Sequence, residues 1–215
     1  MNLANWLVDI AEKHPKKEAL LKGEYCSADY ATFRARSSSI SDYLENLLGL
    51  KKGDRVAIFL ANSTEYLEII YAVWFLGGVV VPINSKLHID ETLWIINDSG
   101  SKVLFTDKIF FNDQAFKKLK LTVISTIEKS FHKLYSFSSS RSPVEINKND
   151  LVWLFYTSGT TGSPKGVMLS SKNLQAMVEG YLSDVDTVSF SDTSLYSAPM
   201  SHGAGLYNVI FVKLG

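Results

Sequence analysis

Cysteine is almost absent from this chain: Cys26 stands alone among 215 residues. A single thiol cannot close an internal disulfide, which excludes the disulfide-stapled secreted scaffolds and fits a reducing, cytoplasmic compartment. No histidine or acidic partner is implied for Cys26, so it reads as a small buried residue and not as a nucleophile. Net charge is missing as well. The 22 basic side chains equal the 22 acidic ones in number and form no basic stripe, so neither nucleic acid nor an anionic membrane is expected as a partner. There is no membrane-length apolar run: the stretch 69–85 is interrupted by Gly77, Gly78 and Pro82 and falls short of the ~20 residues a spanning helix needs. The amino terminus has no basic segment leading into an apolar one. Leu3, Trp6, Leu7, Ile10 and Ala11 recur there at helical spacing and stop before Pro15, which predicts an amphipathic helix and not a signal peptide. No internal repeat is visible, and the one low-complexity patch, "SFSSSRSP" at 136–143, reads as a surface loop.

What the chain does have is alternation. Short continuous apolar runs at 55–60, 79–82, 102–106 and 121–125 read as strands, and the intervals 64–76, 89–98 and 109–119 read as helices. Strands of that kind are buried on both faces, so the fold class is α/β: a doubly wound, largely parallel sheet with flanking helices. Ahead of it the sequence predicts a hairpin around Lys22-Gly23-Glu24 and a long helix over 29–48 ending near Gly49. Three stretches follow from this: flanking helices and first sheet at 1–145, a loop hairpin with its following helix at 146–194, and the start of a further lobe at 195–215. A strand is expected near 195–198, and the apolar ending "GLYNVIFVKLG" is expected to be a helix with no partner to bury it.

The loop in the second stretch is "YTSGTTGSPKG", residues 156–166, set between β-prone runs at 151–155 and 167–169. Three glycines allow close backbone approach, the hydroxyls of Thr157, Ser158, Thr160, Thr161 and Ser163 offer neutral donors, and Lys165 adds one positive charge. Successive backbone N–H groups with hydroxyls and one ammonium describe a cradle for phosphate oxygens. A plain flexible turn has the same composition, because Gly, Ser, Thr and Pro are what turns are made of. A Walker A loop is excluded: Pro164 replaces the glycine before the lysine and Gly166 replaces the hydroxyl after it. Nor does a helix follow at once. Ser170 and Ser171 offer the helix cap only after 167–169.

"YTSGTTGSPKGV" resembles the phosphate-loop signature of the adenylate-forming, or AMP-binding, enzymes, the superfamily of acyl- and aryl-CoA synthetases, peptide-synthetase adenylation domains and beetle luciferases. Three weaker stretches resemble it in the same order: "CSADYATF" (26–33), "FLGGVVVPIN" (75–84) and "APMSHGAGL" (198–206). The resemblance implies ATP-dependent activation of a carboxylic acid, fatty or aryl, to an acyl-adenylate and then a thioester with CoA, with Mg²⁺ on the phosphates. It implies that Thr157, Ser158, Gly159, Thr160, Thr161, Gly162, Ser163 and Lys165 hold ATP, that Lys165 is the catalytic charge, and that the Thr157 hydroxyl partners the metal. His202 and Gly203 take the carboxylate side, whereas His14, His88 and His132 read as turn or core residues. No aspartate stands near "PMSHGAGL" to pair an amino acid's ammonium, which favours the CoA ligase branch.

Members of the superfamily are more than twice as long as this chain. The resemblance therefore implies an amino-terminal portion, with the ribose and metal carboxylates, the hinge and the mobile carboxy-terminal domain lying in further sequence, and implies that these residues alone are inactive. Two alternatives stay open: transfer of the acyl group to a carrier-protein thiol instead of CoA, and a non-catalytic nucleotide-binding module.

Overall fold

A computed structural model describes residues 1–107, 121–137, 141–157 and 164–215. The chain opens with α1 (Ala4–Lys13), a hairpin of β1 (Glu18–Lys22) and β2 (Tyr25–Asp29), and α2 (Tyr30–Asp42), which runs on into a π turn at Tyr43–Leu47. The predicted hairpin and long helix are both present, the helix loosened over its last turn. Asp29 starts α2 in extended backbone and accepts the Thr32 N–H at 2.8 Å, covering one of the donors that a helix start leaves unpaired.

The sheet follows as β3 (Arg55–Phe59), β4 (Val79–Pro82), β5 (Val103–Thr106), β6 (Thr122–Ser125), β7 (Leu151–Thr157) and β8 (Lys165–Ser170), with α3 (Thr64–Phe75) and α4 (Ile89–Ser99) between its first three strands. In space the order is β6-β5-β3-β4-β7-β8, parallel throughout except for the antiparallel β7–β8 hairpin. The predicted helix at 109–119 lies outside the described residues. Alternate strand residues face opposite ways, and the core divides accordingly. Val56, Ile58, Val80, Val103, Phe105 and Trp153 join the α3 side chains in one cluster. Ala57, Phe59, Val79, Val81, Leu104 and Leu154 meet Ile95 and Ile96 of α4 in the other. This period-two division between helices on both faces is the doubly wound arrangement expected from the sequence.

The α3–β4 connection is tight. Gly77 turns through φ +73°, and a Cβ on Gly78 would come within 3.1 Å of the Asp54 carbonyl oxygen, so this Gly-Gly pair lets β4 enter directly beside β3. Buried Trp74 then ties α3 across to β7: its indole N–H donates to the Val152 carbonyl at 3.0 Å, and its ring lies 6.1 Å from that of Trp153.

After β8 the Ser170 hydroxyl and the Asn173 side chain cap α5 (Ser171–Asp184) reciprocally. The chain ends in α6 (Gly203–Leu206) and α7 (Asn208–Leu214).

Two expectations are corrected. The strand expected at 195–198 does not form: Leu195 is 89% exposed, and Asn62, not a neighbouring strand, takes the carbonyls of Tyr196 and Ala198. The apolar ending is helical but not bare, because α7 buries Val209, Ile210 and Val212 and packs on α1 and α5. The patch read as a surface loop, whose residues 138–140 lie outside the described ones, has anchored flanks. A 3-10 turn, Phe131–Ser136, buries Phe131 and Leu134, and Ser39 donates to the Leu134 and Phe137 carbonyls. Arg141 pairs with Asp42 at 3.2 Å and with Glu45.

Candidate active site

The two strands at the centre of the sheet send their chains to opposite faces. From β3 the backbone passes to α3 in one core cluster, and from β4 it passes to α4 in the other. The gap beyond the carboxyl ends of β3 and β4 is therefore a topological switch point, where open α/β sheets bind ligands. Asn62 follows β3 and Asn84 follows β4, and both reach the same later segment. The Asn62 amide group donates to Tyr196 and Ala198 carbonyls at 3.0 and 2.8 Å, while its oxygen accepts the Met200 N–H at 2.8 Å. The Asn84 amide nitrogen lies 3.1 Å from His202 Nε2. Thus "PIN" and "PMSH", 118 positions apart at Asn84 and His202, meet above the switch point.

Next to β4 runs β7, in parallel, with Val80 level with Trp153. Extending that register by four residues sets Asn84 level with Thr157, so Thr157 also stands at the carboxyl edge. Thr157 pairs with Lys165 across the hairpin, and both side chains are exposed. The neck of the glycine-rich loop is thus a closed β ladder that holds one hydroxyl and one ammonium at the same edge as His202. Ser158, Gly159, Thr160, Thr161, Gly162 and Ser163 lie outside the described residues.

Below the neck, Tyr156 donates to the Asp98 carboxylate of α4 at 2.6 Å and meets the Trp94 ring edge-on at 6.1 Å. Burial first, and then the Asp98 charge, push this phenol above its ordinary value, so it stays a protonated donor and pins β7 to α4. Gly166 faces Tyr156 across the ladder, and a Cβ there would stand 3.1 Å from both Leu154 Cδ1 and Tyr156 Cζ. The sequence predicts a loop glycine that allows close backbone approach. In fact Gly166 belongs to β8 without a positive φ, and what it supplies is room for the tyrosine ring.

His202 begins α6 from extended backbone, and its N–H donates to the Pro199 carbonyl at 3.0 Å. Gly203 is exposed beside it. The other histidines play the turn and packing parts expected of them: His88 caps α4 in a reciprocal pair with Glu91, His14 stacks near Phe190 and His132 near Tyr135. Sequence reasoning passed over Asn62 and Asn84. Their signal was positional, since each is the first amide side chain after a buried parallel strand.

Among the described residues no group of three or more His, Cys, Asp or Glu gathers as a metal cage. The Thr157 hydroxyl fits a metal carried mainly by phosphates and water, as Mg²⁺ is. A cleft of about 820 Å³ also opens between β1, the 190–196 segment and α7. Size alone would put a ligand there, yet none of Thr157, Lys165, Asn84 or His202 lines it. The strand-end constellation is the better candidate, because there polar groups from three separate segments converge.

Comparison with known proteins identifies the family. Long-chain-fatty-acid–CoA ligase FadD13 of Mycobacterium tuberculosis is 35% identical over 190 residues, 85% of this chain and 37% of that protein. The 2-succinylbenzoate–CoA ligase of Bacillus cytotoxicus is 30% identical over 206 residues, 95% of this chain and 40% of that protein. The chain thus spans about two fifths of the length of these curated relatives. The crystal structure of the inhibitor-bound N-terminal domain of FACL13 from Mycobacterium tuberculosis superposes with a TM-score of 0.87 at 28% identity, over 99% of this chain and 55% of that one. The o-succinylbenzoate CoA synthetase of Bacillus subtilis, solved with its acyl-adenylate intermediate, superposes at 0.81 with 26% identity, over 98% of this chain and 54% of that one. The model of the AMP-binding enzyme family matches residues 7–214, and the chain belongs to that family.

Proposed function

We propose that this chain carries the phosphate-holding and acid-facing part of a ligase that activates a carboxylic acid with ATP and passes the acyl group to the thiol of CoA. In the first step a carboxylate oxygen attacks the α-phosphorus, and the bond to pyrophosphate breaks. In the second the CoA sulfur attacks the acyl carbon, its proton leaves to solvent or base, and AMP departs. The observation that carries the reading is that the Thr157–Lys165 neck and the Asn84–His202 pair stand at the carboxyl ends of the adjacent parallel strands β7 and β4. Relatives named as CoA ligases for a fatty acid and for succinylbenzoate support a fatty or aryl acid as substrate.

In this reading residues 157–165 cradle the β- and γ-phosphates, and Lys165 offsets the charge that builds on departing pyrophosphate. Such positioned charge is the main lever in phosphoryl chemistry. The Thr157 hydroxyl would partner a phosphate-bound Mg²⁺, which would neutralise part of the same charge. His202 and Gly203 face the carboxyl group. We place the enzyme in the cytoplasm, and no described helix is long and apolar enough to cross a membrane. The stretches 1–145, 146–194 and 195–215 are parts of one nucleotide-binding domain, with further sequence supplying ribose, metal carboxylate and acceptor contacts. In the full-length protein Lys165→Ala lowers ATP–pyrophosphate exchange by ~10²-fold or more while leaving acid binding nearly intact. Unchanged exchange kinetics would remove the phosphate-cradle assignment.

A further inference from the structure

We propose that Asn84 sets the tautomer of His202, so that His202 meets the substrate carboxyl group as a neutral Nδ1–H donor. The geometry stands by itself; its consequence for the acid rests on the reading of His202 given above.

The carboxamide of Asn84 has one accepting and one donating end, and the backbone decides which is which. Its Oδ1 accepts the Lys86 N–H at 3.0 Å. The NH₂ end therefore faces His202 Nε2, at 3.1 Å. An amide NH₂ can only donate, so Nε2 must accept and carries no proton. A neutral imidazole holds one N–H, which is then on Nδ1. An imidazolium is incompatible with this bond, since both of its nitrogens donate.

Both partners are held before any ligand arrives. Asn84 follows β4, whose four residues are all buried, and the Ile83 N–H is fixed on the Ile58 carbonyl at 2.9 Å. His202 is held through its own N–H on Pro199, and the adjoining Met200 N–H is held by Asn62. The ring is exposed, and Nδ1 has no protein partner among the described residues. Its proton is therefore available to an incoming oxygen.

The chemistry that suits such a donor is a carboxylate oxygen, and after adenylation the carbonyl oxygen of the acyl group. A neutral donor orients that oxygen without drawing off its charge as a cation would, which leaves the other oxygen nucleophilic towards the α-phosphorus. Asn84 acts through His202 and is a positioning residue.

The test is long-range ¹H–¹⁵N correlation NMR of the chain labelled at histidine nitrogens, with His202 assigned from its loss in His202→Gln. Wild type shows a pyridine-type Nε2 and a pyrrole-type Nδ1. In Asn84→Asp the carboxylate can only accept, and the proton moves to Nε2; in Asn84→Ala the preference of a free side chain for Nε2–H returns. The unchanged resonances of His14, His88 and His132 report that each variant is folded. A wild-type His202 carrying Nε2–H overturns the proposal whether or not any variant folds, and so does an Asn84→Asp spectrum identical to wild type. The full-length enzyme supplies a second arm: Asn84→Ala raises KM for the acid about 10-fold with KM for ATP unmoved, the loss of one hydrogen bond to a charged group. The predicted spectra with an unmoved acid KM would establish the tautomer and overturn the substrate role, separating the two ideas.

Discussion

Two glycines two positions apart in the histidine segment have opposite constraints. A Cβ on Gly205 would lie 1.8 Å from the Met200 carbonyl oxygen, a backbone atom that cannot step aside. At Gly203 nothing stands within 4 Å. Gly205→Ala is therefore expected to open the turn in which the Gly205 N–H donates to the His202 carbonyl at 2.9 Å, at a cost of about 1–3 kcal/mol or more. Gly203→Ala should be neutral or slightly stabilising, because alanine loses less entropy than glycine in a helical turn. Urea unfolding of the two variants checks the pair, and equal midpoints would show that the Met200 turn is not the constraint. From sequence the glycines of "HGAG" are indistinguishable, because the atom that separates them belongs to a carbonyl placed by tertiary structure. The charges and hydroxyls were legible, since Lys165, Thr157 and His202 declare their chemistry by type. Asn62 and Asn84 were not, because an asparagine is as much at home in a turn as in a site, and only the switch point shows where their amides reach.

At the scale of elements, the parallel strands were read nearly to the residue because burial on both faces leaves an uninterrupted apolar run, as in Val79–Val81. The errors fell where a segment is held by side chains and not by a ladder. Residues 195–198 have a strand's composition, but the sheet edges at β6 and β8 do not take them, and Asn62 does. The start of α2 permits a quantitative test. Hydrogen bonds from Thr32, side chain and backbone, hold the Asp29 carboxylate below its ordinary pKa, with Lys16 adding at 3.3 Å. A depressed folded value means that the stabilisation is complete above the unfolded value near 3.8 and is lost as pH falls through the lower folded one. Asp29→Asn keeps a capping oxygen but does not titrate, so the stability of wild type relative to this variant should fall as pH drops below about 4. Asp29→Ala should cost about 1 kcal/mol at neutral pH. Thermal unfolding across that pH range reads both effects, and a pH-independent difference between wild type and Asp29→Asn would show that the carboxylate is not coupled to folding.

For the whole molecule, the expected weakness was an uncovered apolar end, and α7 removes it by packing on α1 and α5. The limit expected for these 215 residues is then chemical. The sheet edge provides a hydroxyl and an ammonium at the loop neck and a neutral imidazole opposite, but the described residues gather no carboxylate cluster for a metal. The matched relatives carry about three fifths of their length outside the matched part. Adenylation needs metal, ribose, α-phosphate and acid held together in line, and each group missing from the transition state costs ~1.4 kcal/mol for every tenfold in rate. Several losses at once leave no measurable turnover, whereas phosphate attraction needs only the loop. The chain by itself is therefore expected to bind ATP weakly, with Lys165→Ala abolishing that binding, and to release no pyrophosphate when given ATP, Mg²⁺, CoA and a panel of fatty and aryl acids. Isothermal titration with ATP and a coupled pyrophosphate assay read the two halves separately. Acid-dependent pyrophosphate release above background would mean that residues 1–215 hold a complete adenylation site, and that the ribose and metal contacts assigned to further sequence are to be sought within this sheet.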